Sequence, residues 1–154
     1  MTSAPGYTRF EVPQALLRET FAELRRCGQG RSECQVLWTS PWASPTRIDR
    51  IVHPRHHAHG DGFEVDGTWL SWLWRDLVAT GSGIRVQVHT HPRLAFHSAT
   101  DDAWPVIHEP GFLSLVIPYF ATGEVSFEGI YLAELRTDGG WTEVTPASRL
   151  TVTA

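Results

Sequence analysis

Cysteine is scarce in this chain of 154 residues: only Cys27 and Cys34 are present. One bridge at most can form, and no pair of CxxC motifs offers a zinc ribbon. The apolar neighbours of both cysteines point to buried free thiols, the usual state in a reducing cytosol. Basic runs are missing too. With a formal net charge of −4 and a pI near 6.0, the chain has no electrostatic footprint for nucleic acid. The N-terminal "MTSAPGYTRFEVPQ" lacks the apolar centre of a secretory signal. No apolar run reaches bilayer length. There is no internal repeat, no low-complexity stretch, and no G-x-S-x-G, P-loop or HExxH signature. These absences leave the expectation of one cytoplasmic domain with a single core.

What is present supports such a core. The hydrophobic fraction is 42%, and seven tryptophans are many for this length, fit for a rigid interior or an aromatic surface kept for a partner. Residues 1–12 read as an N-terminal arm and residues 13–154 as the domain. A helix is predicted from about Pro13 to Cys27, with Leu17, Phe21 and Leu24 on one face and Gly28 as the stop. "ECQVLWTS" and "TRIDRIVHP" read as strands joined by the turn "SPWASP". "HPRHHAHGDG" reads as loop. A second helix is predicted over Thr68 to Thr80, with Leu70, Leu73, Trp74 and Leu77 buried and Gly81 as cap. Trp69 and Trp72 fall off that face. "GIRVQVHTH" alternates as a strand, "SATDDAW" is a short helical turn, "GFLSLVIP" is a doubly covered strand, and the segments around "DGG" close as a hairpin. The order α-β-β-α-β-(short α)-β-β-β describes a mixed α/β domain, a mixed β-sheet flanked by helices.

The chemistry gathers in "HTHPRLAFHSATDD", His89 to Asp102. A strand puts residues i and i+2 on one side, so His89 and His91 face one point while Thr90 points away. A catalytic zinc needs three protein ligands and one open position. Ser98 reads as a helix N-cap, and Asp101, three residues on, offers a carboxylate facing back toward the strand end. His89, His91 and Asp101 then form a Lewis-acid centre able to bring the acidity of water near neutrality. The next position, Asp102, is rotated by roughly 100° on a helix and aims elsewhere.

"HTHP" followed by "SATD" resembles the JAMM motif of the JAB/MPN/Mov34 metalloproteases, H-[ST]-H-P with S-x-x-D. The S-x-x-D step matches at Ser98 and Asp101, and the loop after Pro92 is one residue shorter than is usual in the family. The resemblance implies a JAB/MPN-like, cytidine-deaminase-like fold of the compact bacterial type and a bound zinc ion. It also implies roles. Glu33, in "SECQVLWTS" before the first strand, would be the general base, and Ser98 would hydrogen-bond the oxyanion. Val36 and Ser40 stand where the family has glycines.

The expected activity is zinc-dependent cleavage of a peptide or isopeptide bond after the C-terminal tail of a ubiquitin-like protein. The tail would lie extended beside the site by strand addition. E1-like and E2-like partners, a bacterial conjugation pathway and antiphage defence are what the resemblance further implies. Two alternatives stand: a non-catalytic MPN-like scaffold, and a cupin-like metal enzyme, which would need an all-β barrel and a later histidine ligand. His97 is read as a cleft-lining or exposed bystander, because a fourth protein ligand would close the site. His53, His56, His57 and His59 have no carboxylate or thiol at ligand spacing and are read as loop residues.

Overall fold

The described part of the chain runs through β1 (Phe10–Pro13), α1 (Gln14–Gly28), β2 (Gln35–Pro41), β3 (Arg50–Val52), β4 (His56–His59), β5 (Gly62–Val65), α2 (Gly67–Thr80), β6 (Ser82–Thr90), β7 (Leu113–Ile117), β8 (Tyr131–Leu135), β9 (Trp141–Val144), α3 (Pro146–Arg149) and β10 (Leu150–Thr153). The computed structural model describes residues 8–59, 62–98 and 106–154. Six strands form the main sheet in the order β3-β2-β6-β7-β8-β9. Of its pairings only β6 with β7 is parallel. The mixed sheet flanked by helices is the fold class expected.

Strand alternation divides the core. Val36, Trp38, Val86, Val88, Leu113 and Leu115 point to the side covered by α1, where Leu17, Phe21 and Leu24 meet them. Leu37 and Ile84 point to the other side, where Leu73 and Leu77 of α2 cover them, Ile84 having left the face of Val86 at a bulge in the β2–β6 register. All five residues of β7 are buried, as its unbroken apolar run requires. Trp38 is the largest fully buried side chain. Its indole Nε1–H donates to Thr20 Oγ1 at 2.9 Å, and that hydroxyl donates to the Leu16 carbonyl in the preceding turn of α1. One polar chain thus joins the sheet to the helix inside an apolar layer.

Several local expectations change. Gly28 is the last residue of α1, and the left-handed cap is Gln29, whose N–H reaches Arg25 O. Residues 10–12, expected in a loose arm, belong to β1, which pairs in parallel with β10 and buries Phe10 and Val12. The partner strand comes from the opposite end of the chain, beyond the reach of local pattern. The backbone of "HHAH", expected as loop, pairs with Gly62–Val65 as an antiparallel hairpin. On α2, Trp74 is 40% exposed instead of buried, Trp72 is exposed, and Trp69 packs partly buried beside Leu70 against the second core. The helix touches the sheet through a narrow Trp69–Leu70–Leu73–Leu77 stripe, and Trp74 falls on its flank. Asp66 caps α2 by accepting from Trp69 N at 2.9 Å, and Gly81 ends it with φ +64°. The predicted turn "SATDDAW" lies, apart from Ser98, outside the described residues.

Trp38→Phe removes the indole donor and leaves the buried Thr20 hydroxyl short of one partner. A loss of about 1–3 kcal/mol is expected in urea unfolding, as a lower midpoint at unchanged slope. An unchanged midpoint would show that the Trp38–Thr20 bond contributes nothing.

Candidate metal centre

β6 carries the site because of where it ends and what it pairs with. Gln35 lies directly opposite His89 in the β2–β6 register, and Val36 opposite Val88. Since Val36 and Val88 belong to the α1 side, Gln35 and His89 face the α2 side. His91 follows one residue past the strand yet is equally fixed. Its N–H donates to Ile117 O and its carbonyl accepts from Phe120 N, both at 2.9 Å. The two rings lie 5.2 Å apart, with His89 1% and His91 4% exposed.

Thr90 points the other way and forms a joint. Cys34 N–H donates to its hydroxyl at 3.0 Å, and Thr90 N–H donates to Cys34 O at 3.1 Å. This pair fixes the start of β2, and with it Glu33, against the strand that bears the histidines. Glu33, buried at 6% exposure, lines a cleft of about 290 Å³ with His91, Pro92, Arg93, Leu94, Phe96 and Ser98. The structure therefore brings Glu33, His91 and Ser98 to one cavity, with His89 beside it. Leu94 and Phe96 form an exposed apolar lip, and the Phe96 ring meets His91 edge-on at 4.6 Å. Asp101 and Asp102 lie outside the described residues.

The described residues on either side of the segment that carries Asp101 are held by two linked polar groups, Gln87 at Val106 and Ser114 at His97. Gln87 is buried two residues before His89 on the same face. Its Nε2 donates to Ser114 Oγ at 3.0 Å, and its Oε1 accepts from Val106 N at 3.0 Å. Ser114 Oγ also lies 3.0 Å from His97 Nε2. His97 is thus neither exposed nor a lining residue of the cleft. It anchors the loop, packed between Tyr131 and Trp141 with its ring 6.3 Å from that of His89. Sequence reasoning missed Gln87 and Ser114. The available signal was a polar side chain at an inward position of a buried strand, which requires a partner.

Below His91 the chain turns through Tyr119, Phe120 and Ala121, all with φ between 52° and 59°. Left-handed backbone costs a non-glycine residue roughly 1–2 kcal/mol. Tyr119 N–H to Arg93 O, Phe120 N–H to His91 O and the Arg25 guanidinium on the Ala121 and Gly123 carbonyls hold this turn. Strain of this kind is kept where the surroundings over-determine it, often at functional sites.

The donor set fits a zinc ion. Two buried imidazoles lie side by side, His91 lining the cleft and His89 beside it, and such nitrogens are ligands that zinc accepts. Gln35, opposite His89, has a buried side-chain carbonyl with no hydrogen-bond partner among the described residues. It is the kind of acceptor that a metal-holding imidazole uses for its second nitrogen. The open mixed sheet with its helices rules out the cupin barrel. The buried free thiols expected at Cys27 and Cys34 are also corrected, because the two form a disulfide. The loop after α1 returns Cys34 to the end of the helix, a proximity invisible in neighbouring residue types.

No family model matches the sequence. A relative from Sinorhizobium fredii called "Probable metalloprotease y4jG" is 34% identical over 145 residues, covering 91% of this chain and 89% of its own length. Among solved structures, a JAB1/MPN domain protein from Archaeoglobus fulgidus superposes with a TM-score of 0.55 at 13% identity, over 96% of this chain and all of that one. A Desulfitobacterium hafniense protein solved in solution does so with 0.65 at 15% identity, over 94% of this chain and 92% of that one. The chain belongs to the JAB/MPN/Mov34 (JAMM) metalloprotease family.

Gln87→Leu keeps the volume and removes the bond from Val106 N–H at one foot of the loop and the bond to Ser114 Oγ, the group that holds His97. It is expected to lower stability by about 1–3 kcal/mol and to speed amide exchange at Val106 more than at Leu115. Equal acceleration at the two amides would mean that Gln87 serves the core alone.

Proposed function

We propose that the chain is a zinc-dependent isopeptidase that cleaves the bond after the C-terminal tail of a ubiquitin-like protein. The observation that carries the reading is the shared cleft: Glu33, 58 residues before His91, lines one cavity with His91 and Ser98, beside His89. His89, His91 and Asp101 would hold the zinc ion, which when bound supplies Lewis acidity to the scissile carbonyl and to water. Glu33 takes a proton from the attacking water and returns it to the leaving amine. Ser98 donates its hydroxyl hydrogen to the oxygen that becomes negative. Leu94 and Phe96 offer an apolar edge against which an extended tail lies, and the narrow cleft favours a chain end over a folded surface. A cytoplasmic bacterial conjugation pathway, with E1-like and E2-like partners and a role in antiphage defence, is the setting proposed for this activity.

The non-catalytic scaffold is separated from this reading by metal analysis. Purified protein with its disulfide intact is expected to carry about one equivalent of zinc, lost in His89→Ala and in Asp101→Ala. Zinc retained in both variants would sink the ligand assignment. Glu33→Gln is expected to keep its zinc while cleavage of an amide-linked ubiquitin-like tail falls by about 10²–10⁴-fold. Near wild-type cleavage in that variant would remove Glu33 as the base.

A further inference from the structure

A second cluster of metal-ligating side chains lies on the other side of the sheet. Cys27 sits in the last turn of α1, Cys34 just before β2, and His53 just after β3. Their donor atoms lie within 4.8 Å of one another, and among the described residues they form the one group of three or more such side chains. His53 Nε2 is 3.1 Å from Cys34 Sγ. Cys34 is fully buried within the α1-side core, and Cys27 packs against the same cluster. His89 and His91 face the opposite side, so the two groups share no ligand.

We propose that Cys27, Cys34 and His53 form a redox-gated site for a thiophilic divalent cation such as Zn²⁺. A disulfide kept only for stability needs no imidazole against its sulfur. Two thiolates and an imidazole, by contrast, are a zinc donor set with one position left for water or a further ligand. While the disulfide stands, two of the three donors are consumed. A dithiol reductant opens it by exchange: the S–S bond breaks, both cysteines gain a proton and an electron, and the reductant becomes a cyclic disulfide. The cation then displaces the two thiol protons and binds both sulfurs and His53 Nε2. Zn–S bonds of about 2.3 Å in a tetrahedron set the sulfurs about 3.8 Å apart. Cys27 supplies that movement more readily than Cys34, because it lies at the half-exposed end of a helix while Cys34 is held by Thr90. Oxidation reverses the sequence and releases the cation.

The test is a Co²⁺ titration of the full chain, once as the disulfide form and once after reduction by a dithiol that is then removed without air. The reduced protein is expected to develop thiolate-to-cobalt charge-transfer absorption that saturates at one equivalent, and the disulfide form none. The band should vanish in Cys27→Ser. In His53→Ala, which leaves both thiols in place, the apparent affinity should fall on the order of 10–100-fold. His89→Ala and Asp101→Ala should keep the band unchanged, which separates this site from the proposed catalytic one. The inference is overturned by any of three results. These are a disulfide that resists the dithiol in the folded protein, a reduced protein with two titratable thiols and no charge-transfer band, or a band of undiminished affinity in His53→Ala.

Discussion

The site depends on one constraint, the parallel pairing of β6 with β7. Parallel neighbours cannot be joined by a tight turn, so the chain between them must cross a face of the sheet. It crosses on the α2 side, where His97, Val106 and Ile107 pack. That is the face on which Gln35, Gln87 and His89 project. The crossover that topology demands is therefore the same segment that brings Ser98 to the cleft. The protein needs no separate device to deliver a loop to the histidines. What it needs is a way to stop that loop from drifting, and the Gln87–Ser114 pair provides it from beneath.

Thr90 does the corresponding work for β2. A histidine, a threonine and a histidine in strand geometry give alternate faces, and each face is used. His91 goes to the cleft with His89 beside it, while the hydroxyl goes to the backbone of Cys34 on the opposite side. Glu33 is then one peptide from a fixed point. In the proposed role of general base, Glu33 must sit within about 2.6–3.2 Å of the proton it takes or one water away, so under that proposal this anchoring bears on chemistry as well as stability.

The legible parts of the sequence were those written in local periodicity. The alternation of Val86 and Val88 predicts β6, and with it the shared direction of His89 and His91, while Ile84, expected on the same face, is turned to the other by a bulge. The apolar run of β7 and the face of α1 were equally plain. The illegible parts depend on contacts between distant segments. Phe10 finds its partner strand at Leu150, and Cys34 finds His53 across the edge of the sheet. His56–His59 looked like loop because polar residues and flanking glycine and aspartate hide a short strand, and backbone pairing there owes little to side-chain pattern. Trp74 shows a different limit. Periodicity gives the apolar side of a helix but not how wide a stripe the sheet will cover, and here the cover stops one residue short of it. For the site, residue types gave the candidate ligands, while the restraints that hold them, Gln87, Ser114 and Thr90, became visible only with the register.

The two faces of the sheet also differ in how they tolerate polarity, and this orders their roles. On the α2 side, Gln87, Ser114, Val106 N–H and His97 form a connected set of polar groups. Such a network is stable only when its members are satisfied, so it fixes geometry at the cost of little freedom. On the α1 side the core is mainly apolar, with the Trp38–Thr20 bond, the Thr90 hydroxyl on Cys34 N–H, the Arg149–Glu134 ion pair and the Cys27–Cys34–His53 group among its polar contacts. A sulfur pair suits that rim because it packs as a hydrophobe when bonded and becomes a ligand when opened. The sheet thus separates a polar face that positions the histidines from a more apolar face whose rim carries the sulfur pair, with the Thr90–Cys34 joint linking the two.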